Sequence, residues 1–257
     1  MIVPFRYAKS LSAANCAAGL LFFAGLAVGQ SSSDAASDHA PAAPTETPAA
    51  DNPAATGPDK RIFGVLPNYR TAESSVPFQP ITTSYKFTIA MKDSFDWPVY
   101  PISGAFALLY QMEDSNPSFG QGMKGYARRF ATSYADQAVG NLMTEALMPT
   151  LFHEDPRYFR LGEGTRWHRT FYALTRVMIS KTDTGKWSFN YAEWVGNSMA
   201  VAISNTYYPD SRDFDDNVVK LSMQVATDAF SNVLKEFWPD IKNKLHRHKT
   251  EALAREP

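Results

Sequence analysis

Residues 122–151, "GMKGYARRFATSYADQAVGNLMTEALMPTL", decide the fold class. Met123, Tyr126, Phe130, Tyr134, Ala138, Leu142, Ala146 and Leu151 recur at a spacing of mostly three to four residues. A half-buried strand would alternate every second residue, so this spacing predicts one long helix with a single apolar stripe. Pro149 has no N–H to donate and its ring crowds the carbonyl four residues back. The last turn is therefore expected to kink or end there.

Working outward, "LFHEDPRYFR" (151–160) follows the proline. Asp155-Pro156 has the form of a helix N-cap with proline at the first helical position, which predicts a short helical turn through Arg160. "LGEGT" closes that turn. A helix over 166–179 carries Trp167, Phe171, Leu174 and Met178 on one stripe. "SKTDTGKWSF" reads as a turn around Asp183 and Gly185. A β-hairpin across "RVMISKTDTGKWSFNY" (176–191) stays open beside the helix–turn–helix reading. Helices over 190–207 and 216–237 complete the C-terminal half. Towards the N-terminus, helices over 83–95, capped by Thr82 or Thr83, and 102–112 are separated by Pro98 and Pro101. Pro67, Pro77 and Pro80 keep 61–82 extended. The expectation is an all-α fold, a bundle of five or six helices with an extended N-terminal arm, spanning 61–241. A basic, flexible tail covers 242–257.

Residues 1–29 read as a secretory signal peptide, with Arg6 and Lys9 before an apolar run at 17–28. Ala27 and Gly29 place cleavage before Gln30; an uncleaved anchor is the alternative, although the run is short for a span of roughly 20 residues. Cleavage would remove Cys16, the only cysteine, and with it any disulfide or thiol chemistry. Residues 30–60 hold Ala, Pro, Ser, Thr and acids with almost no large apolar side chain, the composition of a disordered linker. The whole chain carries −1. Without the signal's two bases, the linker's five acids and Lys60, residues 61–257 hold 22 bases against 21 acids, so global charge does not support nucleic-acid binding.

Three patterns bear on function. The first is His153-Glu154-Asp155, with Glu145 and His168 as helpers, read either as a metal or acid/base centre or as a polar corner. Neither HExxH nor ExxH spacing occurs, and adjacent helical residues diverge by about 100°; the corner is the favoured reading, no metal or cofactor is assigned, and the catalytic residues stay undetermined. Asp136 with Glu145 is too widely spaced along the helix for paired-carboxylate hydrolysis, roughly 13 Å at 1.5 Å per residue. The second pattern is Arg157, Arg160, Arg166, Arg169 and Arg176 interleaved with aromatics including Trp167. Such a segment suits either an anionic surface or internal pairing with nearby acids. The third is the small-residue stripe Ala192, Gly196, Ala200 and Ser204, which admits close approach of a second helix. No GxSxG, SxxK or phosphate loop is present.

"LFHEDPRYFR", "ISNTYYP" and "NVLKEFWPDI" resemble a family of exported proteins of environmental bacteria for which no activity is established. The resemblance runs over about 61–241 and implies export and domain extent, but no catalytic residues. The functional expectation is an exported, non-enzymatic envelope protein, periplasmic or outer-membrane associated, binding a membrane surface (anionic lipid) or an envelope protein, with homo-oligomers open. The alternative is a metal-dependent or acid/base hydrolase centred on His153, Glu154 and Asp155.

Overall fold

The computed structural model describes residues 61–62, 66–68 and 70–253. The signal peptide and linker readings fall outside the described residues. The chain runs β1 (Arg61–Ile62), β2 (Leu66–Pro67), β3 (Thr71–Glu73), α1 (Thr83–Phe95), α2 (Val99–Met112), a 3₁₀ turn (Pro117–Phe119), α3 (Gly122–Asn141), a π-helical segment (Leu142–Leu147) and α4 (Met148–Leu151). It continues with β4 (Glu154–Asp155), β5 (Tyr158–Arg160), α5 (Arg166–Thr175), β6 (Ile179–Thr182), β7 (Trp187–Phe189), α6 (Tyr191–Ser204) and α7 (Phe214–Leu253).

The fold is mostly helical, as the periodicities predict, but not all-α. Three small sheets stitch the helices together: β1 with β2, β3 with β5, and β4–β6–β7. β3 pairs in parallel with β5 in the register Thr71↔Tyr158, Ala72↔Phe159 and Glu73↔Arg160. The expected helical turn through Arg160 is therefore a strand. Asp155 does not cap a helix there: its carboxylate accepts from the Arg157 backbone N–H at 3.0 Å and from the Arg157 side chain. The hairpin reading of 176–191 is the correct one, with Ile179↔Phe189 and Lys181↔Trp187 as cross-strand partners. Gly185 turns the hairpin at φ +82°, a conformation that costs glycine nothing. Consequently α5 ends at Thr175 rather than 179.

Local signals explain the helix limits. Thr82 caps α1, its Oγ1 accepting from the Tyr85 N–H at 3.2 Å. At the end of the long helix Pro149 cannot donate to the Glu145 carbonyl, and the backbone widens into the π segment just before it. His153, at φ +56°, terminates α4 in the left-handed conformation usual for a helix C′ residue. The Lys86 ammonium, 1% exposed, donates to the Pro149 carbonyl at 3.1 Å and pairs with Asp183 at 2.7 Å. α7 passes through Pro239 and continues to Leu253, over much of the tail expected to be flexible.

α1 packs on α3 and the π segment, α6 on the π segment and α7, and α5 on α7. Ala192, Gly196, Ala200 and Ser204 are buried together on α6. A Cβ on Gly196 would lie 3.2 Å from the Met143 backbone, so the small-residue stripe serves an internal helix contact.

Candidate functional site

The interior is unusually polar. Lys86, Arg129, Glu145, Glu154, Asp155, Arg157, Arg169, Lys235 and Glu236 are all buried. A buried charge must be paired and hydrogen-bonded to be tolerated. Lys86 is held by the Pro149 carbonyl and Asp183, and Arg129 donates to the Ser115, Asn116 and Gly120 carbonyls; three groupings hold most of the others.

The first gathers Arg70, Asp93, Glu145, Glu193, Asp228 and Lys235, contributed by the arm and by α1, the π segment, α6 and α7. Arg70 Nη1 lies 2.7 Å from Glu145 Oε1, and Arg70 Nε 3.4 Å from Asp93. Asp93 lies beside Glu145, and Glu193 beside Asp228, carboxyl facing carboxyl. Four acids face two cations, and burial favours the protonated form of Asp93, Glu145 and Glu193. Burial is the main cause that pushes Glu145 up to about 8, opposed by Arg70 and assisted by Asp93. Glu193 is raised well above the carboxylate range by burial and by Asp228. Burial, with Arg70 adding repulsion, brings Lys235 down to about 8.

The second grouping centres on Glu236, which no local pattern in α7 advertises. Its carboxylate accepts from Tyr158 Oη (2.7 Å), the Leu161 and Gly162 N–H groups (3.0 and 2.9 Å) and Arg169 Nε (2.7 Å). Its backbone carbonyl, one turn before Pro239, accepts from Arg169 Nη2 and Arg160 Nε.

The third lies beside the β4–β6–β7 sheet. Arg157 forms a two-pronged pair with Asp155 and stacks 5.4 Å from the Phe159 ring centre. Lys181 Nζ is 4.1 Å from Phe159 and 5.0 Å from Trp187. Arg176 lies 4.5 Å from Trp187 and 4.2 Å from Tyr172. Phe159 and Trp187 meet edge-to-face at 6.3 Å. A small cavity of about 60 Å³ is bordered by this cluster and by Glu193, Asp228 and Lys235 of the first.

The His153-Glu154-Asp155 triplet does not form one centre. The His153 side chain is 83% exposed and reaches only Asp183, at 4.0 Å. Glu154 turns inward and accepts from the Tyr191 and Ala192 N–H groups at the start of α6, at 3.1 and 3.0 Å. Asp155 is engaged by Arg157, Glu145 by Arg70, and His168 is exposed on α5. Among the described residues no group of three or more His, Cys, Asp or Glu could hold a metal ion. Asp136 is occupied elsewhere, accepting from Tyr207 and Tyr208 at 2.6 and 2.7 Å.

The arginine strip is likewise divided. Arg157 and Arg169 are buried, Arg160 pairs with Glu73 at 3.1 Å, and Arg176 lies against rings. Arg166 is the strip's exposed member. What α5 turns outward instead is apolar: Trp167 is 85% exposed, Phe171 70%, Leu174 42% and Met178, just past its end, 42%. Arg169, Ala173 and Val177 face the interior. The amphipathic helix is thus mounted with its apolar stripe to the outside, because Arg169 is drawn to Glu236 and Asp240 on α7. The apolar surface continues through Ile179 and its cross-strand partner Phe189 to Tyr191, which meets Phe189 at 5.0 Å. Among the described residues no helix is long and apolar enough to cross a membrane. No family model, curated protein or solved structure matches the chain.

Proposed function

We propose that this is an exported, non-enzymatic envelope protein that seats on a lipid surface through the outward apolar stripe of α5 and the adjoining hairpin. The observation that carries the reading is the mounting of α5, with Trp167 and Phe171 in water and Arg169 inside. A solvent-facing helix normally shows the reverse. Removing that stripe from water is favourable by about 25 cal/mol per Å² of apolar surface. The stripe measures roughly 15 Å by 10 Å on a ten-residue helix. That is far below the ~800 Å² per partner of a stable protein interface. A bilayer surface, by contrast, accepts short amphipathic helices to a depth of about 5–10 Å, with Trp suited to the headgroup level. The segment before the domain supports the same setting, since 17–28 reads as an export signal and 30–60 as a tether.

Because Arg157, Arg160 and Arg169 are spent on internal pairs, docking depends on apolar burial more than on charge. Arg166 and Glu163, three residues apart, are both exposed and opposite in charge. Co-sedimentation with phosphatidylethanolamine/phosphatidylglycerol vesicles is expected to show binding that changes little between low and moderate salt. Trp167→Ser with Phe171→Ser should weaken it at least tenfold, whereas Arg166→Gln should have a small effect. Binding that survives the double substitution would remove α5 from the account, and capture of a protein partner without vesicle binding would replace the lipid.

A further inference from the structure

The cluster beside the β4–β6–β7 sheet has more positive charge than its acids can satisfy. Arg157, Arg176 and Lys181 converge on Phe159 and Trp187, and Asp155 is the carboxylate among them. That carboxylate is already taken by Arg157, through contacts at 2.6–3.1 Å. Lys181 lies directly across the strand pair from Asp155, yet among the described residues it has no ion-pair partner; its contacts are to ring faces. Arg157 is 6% exposed, and its Nη1 is buried without a hydrogen-bond acceptor. Arg176 Nε is buried in the same condition. Donors of this kind, gathered at one small cavity, are open to an acceptor from outside the chain.

The cavity narrows the choice. Its ≈ 60 Å³ is several times the ~10–15 Å³ that one water needs, and corresponds to a group of about four or five heavy atoms. Its lining has five cationic side chains against four acidic ones. Of those acids, Glu154 is held at the N-terminus of α6, Asp155 by Arg157, and Glu193 is raised well above the carboxylate range by burial and by the neighbouring Asp228. Arg70 and Lys235 face the acids of the first grouping and Arg157 faces Asp155, so the unmatched positive charge is that of Arg176 and Lys181. Planar guanidiniums favour oxyanions through charge-assisted hydrogen bonds.

We infer that Arg157, Arg176 and Lys181 form a binding site for a small oxyanion, a phosphate or carboxylate group, cradled against Phe159 and Trp187. Burial is the main cause that lowers both Lys181 and Arg176 from their usual ranges, and an anion in the cavity offsets that cost. The same chemistry is offered by a free anion or by the phosphate of a lipid headgroup. The site shares the β6–β7 hairpin with the proposed docking surface but rests on cations that α5 does not use, so each can fail without the other.

Isothermal titration of the full chain with inorganic phosphate, with acetate and with water-soluble dioctanoyl phosphatidate tests it. Saturable one-site binding of at least one of the three is expected. Lys181→Gln and Arg176→Gln should each weaken it at least tenfold, with circular dichroism unchanged. Lys181→Arg should retain binding, and Lys186→Gln, an exposed cation at the hairpin turn, should leave it unaltered. Phosphatidate binding at least tenfold tighter than phosphate assigns the site to a lipid headgroup; equal affinity assigns it to a free oxyanion. Absence of saturable binding with all three probes, or binding indifferent to both Gln substitutions, overturns the site.

Discussion

Glu236→Ala is expected to destabilise the protein by about 3–5 kcal/mol, since removing one partner of a buried ion pair leaves the other charge uncompensated. Glu236 is fully buried and is the acceptor for four separate donors on β5, the following loop and α5. Truncation strands the Leu161 and Gly162 N–H groups, each orphan costing about 1–3 kcal/mol, and leaves the Arg169 guanidinium with the half-exposed Asp240 as its remaining carboxylate. For a domain of this size the loss corresponds to a fall in Tm of about 6–20 °C. The attribution to stranded charge has its own check. Arg169→Met combined with Glu236→Met should be clearly less destabilised than Glu236→Met alone, because no buried guanidinium is then left with only the half-exposed Asp240 as its carboxylate. Thermal unfolding of the three variants reads the difference, and strictly additive losses would contradict it.

The second large effect is a pH dependence of unusual sign. Glu145 titrates near 8 when folded and near 4.5 when unfolded. Between these values the folded state holds a proton that the unfolded state has released, so stability is full below about 4.5 and is lost as pH rises towards 8. Glu193, Asp93, Glu154 and Asp136, all raised chiefly by burial, act in the same direction. Lys235 titrates near 8 when folded and 10.5 when unfolded, so its contribution is absent below 8 and returns as pH rises above it. Urea midpoints should therefore fall from pH 5 to pH 8 and recover in part by pH 9.5. Glu145→Gln, which keeps the shape and removes the titration, should flatten the descent. A midpoint that climbs steadily from pH 5 to pH 8 would refute this description of the cluster.

The features legible in the sequence were those written locally. Thr82 before an apolar-periodic run marks α1, the three-to-four spacing of 122–151 marks the long helix, and Pro149 marks its distortion. The small-residue stripe of α6 was also readable, down to its use inside the bundle. Strands two or three residues long carry no such pattern. β5 forms only because Thr71–Glu73 offers an edge to Tyr158–Arg160 from far away in the chain. Asp155-Pro156 looked like a helix start because the carboxylate's real donor, Arg157, lies two residues on and could equally have pointed outward.

The candidate sites were less legible for the same reason. Trp167, Phe171, Leu174 and Met178 do share a stripe, but the side it faces is set by the pull of Glu236 and Asp240 on Arg169, across the α5–α7 contact. Arg157 and Arg176 were recognised as candidate anion-binding residues. Their partner Lys181 was not, because a lone lysine in a hairpin reads as solvated until the ring faces of Phe159 and Trp187 are placed beneath it. Arg70, Asp93, Asp228 and Lys235 each look like ordinary surface charges along the chain, and only the packing of α1, α6 and α7 brings them together. Glu193 did leave a trace, as an acid interrupting the otherwise apolar start of α6.

On the proposed reading, the apolar stripe of α5 faces water so that it can enter a lipid surface. That reading is tested most directly by an environment-sensitive fluorophore at that position, in a Cys16→Ser, Phe171→Cys protein labelled with bimane and mixed with vesicles containing depth-graded nitroxide lipids. The account predicts a blue-shifted emission quenched most strongly by nitroxides about 5–10 Å below the headgroups, with a label at Lys186→Cys quenched less. An emission at position 171 that is unchanged by vesicles, or quenched only by aqueous iodide, would contradict it.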